Sequence, residues 1–498
     1  MNRKQNLEVF AKTPVRKAVL LQIVPAVASQ MVTLVYNLAD TYFVGMLNAP
    51  HETAAVTVAY PSFLMLTAIS NLFGVGGASA IARALGRQDE EGARRIAAVS
   101  LAGGLLSALL FSAAFRLLAD PVLHLCGATE ATYATAYGYA KWVVILGGPF
   151  TILNTLLANL VRAEGSAGAA AFGVSFGGVL NILLDPLFVL PQFLGLGAVG
   201  AGMATALSNG AAVACFAVYL VRRRGATYLN LLPANLRYAA QYLRPILAIG
   251  FPSALQYALT VVATAAQADF VSQYPTEAVA ALGIVKKLDQ LPLYFSIGVS
   301  NGLLPLLAYN HAAGNHHRRA QAFRIGSLMS FGFAVLCLVC YEAFATPLVS
   351  LFIADAATVR YGAVFLRCMV TAMPMMALCY PMIIQFQAMG RARESLVCSI
   401  LRKGVLDIPL LYLMDALFPL YGCMWVQPIV DAISLAAALW FYRAIQRGSA
   451  AGGMAPAGAL NRREQNGTVR RRTNPWQARS TIFPSAAFPA TSFRWRCP

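Results

Sequence analysis

The sequence predicts an all-α integral membrane protein with twelve transmembrane helices, arranged as two pseudo-symmetric six-helix lobes. Three observations support this prediction: the composition, the placement of basic residues, and an internal repeat. Of the 498 residues, 58% are hydrophobic and only 12% are charged, whereas a soluble domain carries about 25% charged residues. Apolar runs of about 20 residues, long enough to cross a bilayer as a helix, recur along the chain. They are too long and too uniformly apolar for the strands of a membrane barrel, which alternate over about 10 residues.

Pro, Gly and charged residues between the apolar runs delimit the individual spans. The predicted spans are 15–46, 54–82, 95–118, 133–160, 168–191, 198–221, 244–272, 278–308, 322–346, 360–388, 396–416 and 421–443.

Basic residues separate the loops into two classes. One set of loops holds most of the Lys and Arg, and Arg116 and Arg360 are exceptions at span ends. The loops on the opposite side that contain neither Lys nor Arg are 48–53, 120–132, 191–198, 272–277 and 415–420. Because cytoplasmic loops are enriched in Lys and Arg, we expect both termini in the cytoplasm and an even number of spans.

The sequence contains an internal repeat: four Pro or Gly residues of the first half each have a counterpart 225–228 residues later. The pairs are Pro25 and Pro252, Gly86 and Gly314, Pro121 and Pro347, and Gly165 and Gly390. Two halves with six spans each have the same orientation, so we expect them to be related by an axis along the membrane normal. The predicted domains are an N-terminus at 1–14, a first lobe at 15–221, a cytoplasmic loop at 222–243, a second lobe at 244–446 and a tail at 447–498.

The tail is rich in Ala, Pro and Arg and lacks apolar periodicity, so we expect it to be disordered. Its basic residues are all Arg. Out-of-frame translation of GC-rich DNA and binding to a membrane surface are two hypotheses for that composition.

Several polar side chains lie inside the spans of the first lobe. Asp40 interrupts an apolar run, and Asn181 and Asp185 are four residues apart, hence on one helical face. Asp40, Asp185 and Thr205 each lie seven or eight residues from the uncharged-loop end of their span, roughly 10–12 Å below the surface. Tyr36 and Asn37 share the helical face of Asp40.

This oxygen-rich group is open to three interpretations. Carboxylate, amide and hydroxyl oxygens suit hard cations, so a Na⁺ site at Asp40, Asn181, Asp185 and Thr205 is one. Two poorly hydrated carboxylates at one depth could instead share or exchange a proton. Alternatively, the two acids hydrogen-bond to neighbouring helices and have a structural role. A carboxylate in the membrane is costly, which makes each one a candidate for function.

Four stretches of the sequence resemble motifs of the multidrug and toxic compound extrusion (MATE) transporters of the MOP superfamily. They are "YNLADTYFVG", "ASAIARALGRQDEEGAR", "RAEGSAGAAAFGVSFGGVLNILLDPLF" and "GLGAVGAGMATALSN". The resemblance extends from about Pro14 to Arg443. It implies a two-lobed secondary antiporter that exports organic cations and amphipathic compounds against Na⁺ or H⁺ influx.

The resemblance also implies roles for individual residues. Asp40, Asn181, Asp185 and Thr205 would form the cation or protonation site of the first lobe. Pro25 would let the first helix bend, because proline removes a helical hydrogen bond. Weaker candidates for the substrate cavity and coupling are Tyr36, Asn37, Asn154 and Asn159.

The second lobe departs from one branch of this family. Thr260 stands where branches that couple through the second lobe carry a glutamate, and Gln267 is the repeat counterpart of Asp40. Coupling is therefore expected in the first lobe, as in the DinF-like branch. Further candidates in the second lobe are Gln256, Lys286, Asp289 and Asp407. Asp289 follows two lysines closely, so it forms either an internal ion pair or a substrate contact.

Other function classes have less support. A lipid-linked oligosaccharide flippase of the same superfamily shape needs several cationic groups for pyrophosphate, and the first-lobe spans offer only Lys141 and Arg116. A passive channel or receptor would need no titratable pair. The sequence lacks G-x-x-x-x-G-K-[ST] and any triad pattern, so we expect no enzyme and no cofactor other than H⁺ or Na⁺ as coupling ion. We expect small amphipathic or cationic substrates and membrane lipids as partners, no nucleic acid, a monomer, and the bacterial inner membrane.

Overall fold

A computed structural model of the chain describes residues 3–47 and 49–452. The regular structure within these residues is helical throughout. The helices are α1 Arg3–Ala11, α2 Val15–Gly45, α3 Pro50–Gly86, α4 Glu90–Leu125, α5 Glu130–Ala140, α6 Gly148–Ala163, α7 Ala167–Val189, α8 Gly197–Arg222, α9 Pro233–Leu236, α10 Ala239–Ser272, α11 Thr276–Ala312, α12 His316–Ala343, α13 Ala345–Ser350, α14 Ala356–Val370, α15 Met373–Ala388, α16 Ala392–Ile400, α17 Asp407–Leu417 and α18 Tyr421–Gly452. Of the predicted tail 447–498, the first residues up to Gly452 continue α18, and 453–498 lie outside the described residues.

Each predicted span coincides with a helix or with a broken helix. Nine helices of the described chain are long and apolar enough to cross a membrane, and two bent helix pairs add one span each. The remaining predicted span, 396–416, corresponds to α16 and α17, which are joined by a short irregular segment. Most of the observed helices extend the predicted spans by a few residues at one or both ends, whereas α2, α7 and α12 end one to three residues before the predicted spans do.

Three spans are interrupted, and the interruptions have local causes. A π-helical turn, Lys141–Leu146, ends at the Gly147–Gly148 pair, and the span bends there by 47°. The α14–α15 pair bends by 43° just before Pro374. Glycine and proline weaken or remove helical hydrogen bonds, so kinks form at these residues. A second π-helical segment, Leu401–Val405, joins α16 to α17 and includes one residue with non-helical backbone angles, Lys403.

Three apolar clusters hold the helices together. One is shared by both lobes and includes Ile23 and Phe73 of the first lobe and Ile246 and Leu303 of the second. It lies in the half of the helices nearest the termini. A separate cluster belongs to each lobe in the opposite half, around Leu66 in the first lobe and around the α11–α14 contact in the second. Within residues 3–47 and 49–452, the apolar core that the lobes share therefore lies on the side that carries the termini.

Glycines allow the lobes to approach closely within the shared core. A Cβ at Gly250 of α10 would lie 1.7 Å from the backbone oxygen of Leu72 in α3. A Cβ at Gly302 of α11 would lie 2.7 Å from the backbone oxygen of Gln22 in α2. Real Cβ atoms do not approach so closely, so only glycine fits at these helix crossings.

The segment between α8 and α10 is fixed to the first lobe at two points. Glu164, which is 3% exposed, accepts hydrogen bonds from the Thr227 hydroxyl (2.8 Å) and the backbone N–H of Leu229 (3.0 Å). The Arg95 guanidinium of α4 lies 3.7 Å from the ring centroid of Tyr238, at the end of the segment. A carboxylate that binds backbone N–H groups forms strong, charge-assisted hydrogen bonds.

Candidate functional site

The close packing of α2 against α7 brings the two acidic residues of the first lobe to one level. A Cβ at Gly178 of α7 would lie 2.7 Å from Val32 and 3.1 Å from Tyr36 of α2. Both helices run from the side of the termini towards the opposite side. Asp40 lies eight residues beyond Val32 and Asp185 seven beyond Gly178, so both are roughly 10–12 Å further along.

Asp185 lies at the buried centre of a small polar group on α7 and α8. Asn181 Nδ2 donates to Asp185 Oδ1 (3.3 Å) and lies 3.4 Å from Thr205 Oγ1, to which it also donates. Asp185, Asn181 and Thr205 are 0%, 1% and 6% exposed. The carboxylates of Asp40 and Asp185 are close enough for their charges to interact. The structure thus places all four predicted cation-site residues in one compartment.

Three oxygen atoms of this group are buried and lack a hydrogen-bond partner within the described part of the chain. They are Asp40 Oδ1, Asn181 Oδ1 and Asp185 Oδ2. A buried acceptor without a partner costs about 1–3 kcal/mol. Such a cost is tolerated where a ligand or a proton uses the acceptor for part of a functional cycle. The arrangement can therefore accept a hard cation or a proton.

Tyrosines surround the two carboxylates. Tyr36, a predicted residue, interacts electrostatically with both Asp40 and Asp185. Tyr139 of α5, which is 7% exposed, interacts with the same two acids, and Tyr60 of α3 neighbours Tyr36. Sequence reasoning missed Tyr139 and Tyr60, because a tyrosine in an apolar span is common and only the fold shows which face it occupies.

Two of the weaker candidates differ in their relation to this group. Asn154 Nδ2 donates to Asn209 Oδ1 at 2.8 Å, and Asn209 Nδ2 donates to the backbone oxygen of Thr205 at 2.9 Å. Asn154 is therefore linked to the site through Asn209, a residue that sequence reasoning missed. Asn159 instead accepts a hydrogen bond from Arg162 at 3.1 Å, on the side of the molecule nearer the termini.

Helix α2 of the first lobe meets helix α11 of the second lobe beside the carboxylates. Lys287 of α11 donates to Thr41 Oγ1 at 3.2 Å and interacts electrostatically with Asp40. Asn37 Nδ2 of α2 donates to Tyr294 Oη of α11 at 3.2 Å. Pro25 lies within α2, which continues through it. The candidate site of the first lobe thus contacts the second lobe directly, which the sequence did not indicate.

The candidate residues of the second lobe lie around the interrupted span formed by α16 and α17. Gln256 is buried on α10, the helix that packs against the π-helical segment between α16 and α17. Asp407 is 4% exposed at the start of α17. Asp289 interacts most strongly with the charge of Lys403 and less with that of Lys286. The choice between an ion pair with the neighbouring lysines and a substrate contact stays a prediction for Asp289.

Comparison with solved structures defines the class of protein. The fold is that of the MATE transporters of the MOP superfamily. A crystal structure of MATE in complex with MaL6 matches with a TM-score of 0.82 at 25% identity, over 89% of this chain and 99% of that one. A structure of the outward-facing conformation of a multidrug resistance MATE family transporter matches with a TM-score of 0.82 at 24% identity, over 89% and 98%. These matches confirm the predicted all-α, two-lobed fold class.

Sequence comparison identifies the family. The MatE family model matches residues 25–187 and again residues 252–413. The multidrug export protein MepA of Staphylococcus aureus (strain MRSA252) is 30% identical over 438 residues, which is 88% of this chain and 95% of that protein. MepA of Staphylococcus saprophyticus is 29% identical over 437 residues, with 88% and 95% covered. The chain belongs to the MATE family, as the sequence motifs predicted.

Proposed function

We propose that the chain is a secondary active multidrug efflux transporter, which exports amphipathic and organic cationic compounds by antiport with H⁺ or Na⁺. The curated relatives are named multidrug export proteins. The observation that supports antiport is the pair Asp40 and Asp185, each with a buried oxygen that has no hydrogen-bond partner in the described part of the chain and can bind an ion or a proton. A channel or a receptor would have no use for such a pair.

The coupling ion would act at the acidic pair. Asp40 attracts Lys287 of the second lobe, beside the Lys287–Thr41 hydrogen bond. An ion or proton bound at Asp40 weakens this attraction, so it loosens a contact between the lobes. Asn181 and Thr205 complete the oxygen set, and ion binding relieves the cost of the unpartnered oxygens. Bending of α2 at Pro25 would carry the change along the helix.

The proposed setting is the bacterial inner membrane, with the protein as a monomer and both termini in the cytoplasm. The excess of Lys and Arg in the loops on the side of the termini supports this orientation. The shared core of the lobes would then close the cytoplasmic side. Lipids would cover the exposed apolar side chains, and the only cosubstrate would be the coupling ion. The acidic pair disfavours a flippase, since the negative charges of Asp40 and Asp185 would repel pyrophosphate.

The test is transport in proteoliposomes. Purified protein is reconstituted, and accumulation of the cationic dye rhodamine 123 is followed under an imposed proton gradient and then under an imposed sodium gradient. We expect concentrative transport with one of them. Asp40→Asn and Asp185→Asn should reduce gradient-driven transport at least tenfold while the protein still inserts.

Asp269→Asn is the matched control, since Asp269 is an exposed carboxylate of α10 away from the acidic pair. It should transport like the wild type. Full transport by both Asp40→Asn and Asp185→Asn would refute the role of the pair. Dye movement that only equalises concentrations under both gradients would show a channel instead.

A further inference from the structure

Helix α1 leads into the first lobe, but its C-terminal end is bound by the second lobe. A helix leaves its last four carbonyl groups without partners inside the helix. Arg318 of α12 supplies donors for two of them: Nε donates to the Phe10 oxygen at 2.7 Å, and Nη2 donates to the Val9 oxygen at 3.2 Å. Nη2 also donates to the backbone oxygen of Thr13, in the turn that follows. The guanidinium therefore caps α1 at the end where the helix dipole favours a cation.

The side chain of Phe10 anchors the same helix in the shared core. Phe10 is 0% exposed, and its ring centroid lies 5.4 Å from that of Tyr309 in α11. Asn310, the next residue of α11, is also buried and donates through Nδ2 to the Phe10 oxygen at 3.2 Å. Helix α1 is thus bound by an aromatic ring, an amide and a guanidinium, and all three belong to the second lobe.

The segment between α8 and α10 is attached in the opposite sense. It precedes the first spanning helix of the second lobe, and Arg95 of the first lobe stacks on its residue Tyr238. Arg95 and Arg318 each lie within the first two turns of the third span of their lobe, in α4 and α12. Each lobe therefore holds the segment that precedes the first spanning helix of the other lobe.

The two attachments differ in their chemistry. The segment before α10 also binds the buried carboxylate of Glu164, which accepts a hydrogen bond from the Leu229 backbone N–H at 3.0 Å. The repeat spacing of 225 residues places Met389 at the position that corresponds to Glu164, and a thioether offers no charge. Because charge-assisted hydrogen bonds are about twice as strong as neutral ones, α1 lacks one strong anchor that the other segment has. Of the two attachments, that of α1 is the easier to release.

While α1 is bound, it restrains the separation of the lobes on the side of the termini. Only residues 12–14 connect α1 to α2, and three extended residues span at most about 10 Å. The first turn of α2 therefore cannot move far from α11 and α12 unless α1 leaves its site. A direct contact between the lobes lies on the same side, where the Ser79 hydroxyl of α3 donates to the Gln387 oxygen of α15 at 2.7 Å.

We propose that α1 is a latch between the lobes. Bound to the α11–α12 surface formed by Tyr309, Asn310 and Arg318, it holds the side of the termini closed, and it leaves this surface before the lobes separate there. The latch acts on the conformational equilibrium and not on a transported compound, because none of its residues belongs to the acidic pair. It therefore goes beyond the proposed efflux function and does not depend on the substrate.

Labelling of a buried cysteine measures whether α1 holds the lobes together. Ala82 of α3 is 0% exposed and shares a helical face with Ser79 and Gly86, which both contact the second lobe. Ala82→Cys is introduced after the nine native cysteines are replaced, and a membrane-impermeant maleimide is added on the side of the termini. Arg318→Gln and deletion of residues 1–11 should each raise the labelling rate at least tenfold, because charge-assisted hydrogen bonds of the closed state are lost.

Two controls separate release of the latch from damage to the fold. Arg324→Gln removes an exposed arginine of the same helix, α12, and should label like the parent. Ala55→Cys is a second reporter, 0% exposed in the apolar cluster of the first lobe on the opposite side. Its labelling from that side should change less than twofold with Arg318→Gln, because the first lobe stays folded when the latch opens.

Two results would overturn the latch. The first is an unchanged labelling rate of Ala82→Cys in both Arg318→Gln and the deletion variant, which would show that α1 does not hold the lobes together. The second is an equal rise in labelling at Ala82→Cys and Ala55→Cys, which would mean that α1 only stabilises the fold. A rise confined to Ala82→Cys supports the proposal.

Discussion

Because Gly250 packs directly against α3, we expect that adding one methyl group in Gly250→Ala separates the two lobes at their shared core. In Gly250→Ala the new Cβ would lie 1.7 Å from the Leu72 backbone oxygen and 2.6 Å from its carbonyl carbon. Ordinary van der Waals contact begins at 3.4 Å, so α10 must move away from α3 by about 1.7 Å, a backbone shift of the kind that overpacking forces. Backbone atoms cannot rotate aside as a side chain can.

The steric cost of the new methyl group can be compared with the gain in helix propensity from glycine to alanine. Overpacking of this kind costs about 1–3 kcal/mol, while alanine is favoured over glycine inside a helix by about 0.5–1 kcal/mol. The gain applies to every conformation in which α10 stays helical, but the cost applies only to the conformation with the lobes closed on the side of the termini. The closed state should therefore lose about 5–150-fold in population relative to the open one.

Cysteine labelling measures this shift. The nine native cysteines are replaced, and a single cysteine is introduced at Ala308, which is 0% exposed in the shared core. A membrane-impermeant maleimide is added on the side of the termini. We expect labelling at least fivefold faster with Gly250→Ala than in the parent. Gly332→Ala is the control, since a Cβ at Gly332 would meet no atom within 4 Å in the described chain.

Equal labelling rates in the Gly250 and Gly332 variants would refute the reasoning. They would show that α10 and α3 absorb the methyl group without separating the lobes.

Three further predictions concern buried polar groups. Asp185→Asn should stabilise the folded protein by about 1–3 kcal/mol, because it removes a buried charge with an unpartnered oxygen; a thermal-unfolding scan in detergent checks this, and a lower midpoint would contradict it. Glu164→Gln should destabilise by about 1.5–3 kcal/mol, because it weakens the charge-assisted hydrogen bond from Leu229; the same scan applies, and an unchanged midpoint would argue against the contact. Arg402→Met should destabilise the folded protein by about 3–5 kcal/mol, because Asp431 is left buried without its ion-pair partner. Adding Asp431→Leu should restore most of the lost stability. If the double variant shows no recovery, this explanation is wrong.

Much of the fold was predictable because the membrane imposes strong rules. A helix of about 20 apolar residues is required for each span, so the number of spans and their approximate positions followed from the apolar runs. The interruptions were not predictable, because a π-helical turn as short as Lys141–Leu146 does not change the apolar pattern of its span enough to be seen. Only packing decides where a span such as α16–α17 breaks.

The candidate site was partly predictable for a related reason. A carboxylate in a lipid-facing sequence is so costly that Asp40 and Asp185 stand out from their neighbours. The partners of these acids from other helices did not stand out. Lys287 and Lys286 are adjacent in sequence, yet one interacts with Asp40 and the other with Lys403. Which side of α11 each residue faces depends on the helix rotation, and that is set by packing against both lobes.

The attachment of the segment between α8 and α10 limits how the lobes can move. Because Glu164 binds Leu229 and Arg95 stacks on Tyr238, this segment moves together with the first lobe. It is not a flexible linker between the lobes. Any rocking motion must then be accommodated by a pivot in the first turns of α10, close to Pro245, which lacks a backbone donor. Cutting the chain ahead of that point would leave the pivot intact, whereas stiffening those turns would lock the two halves together.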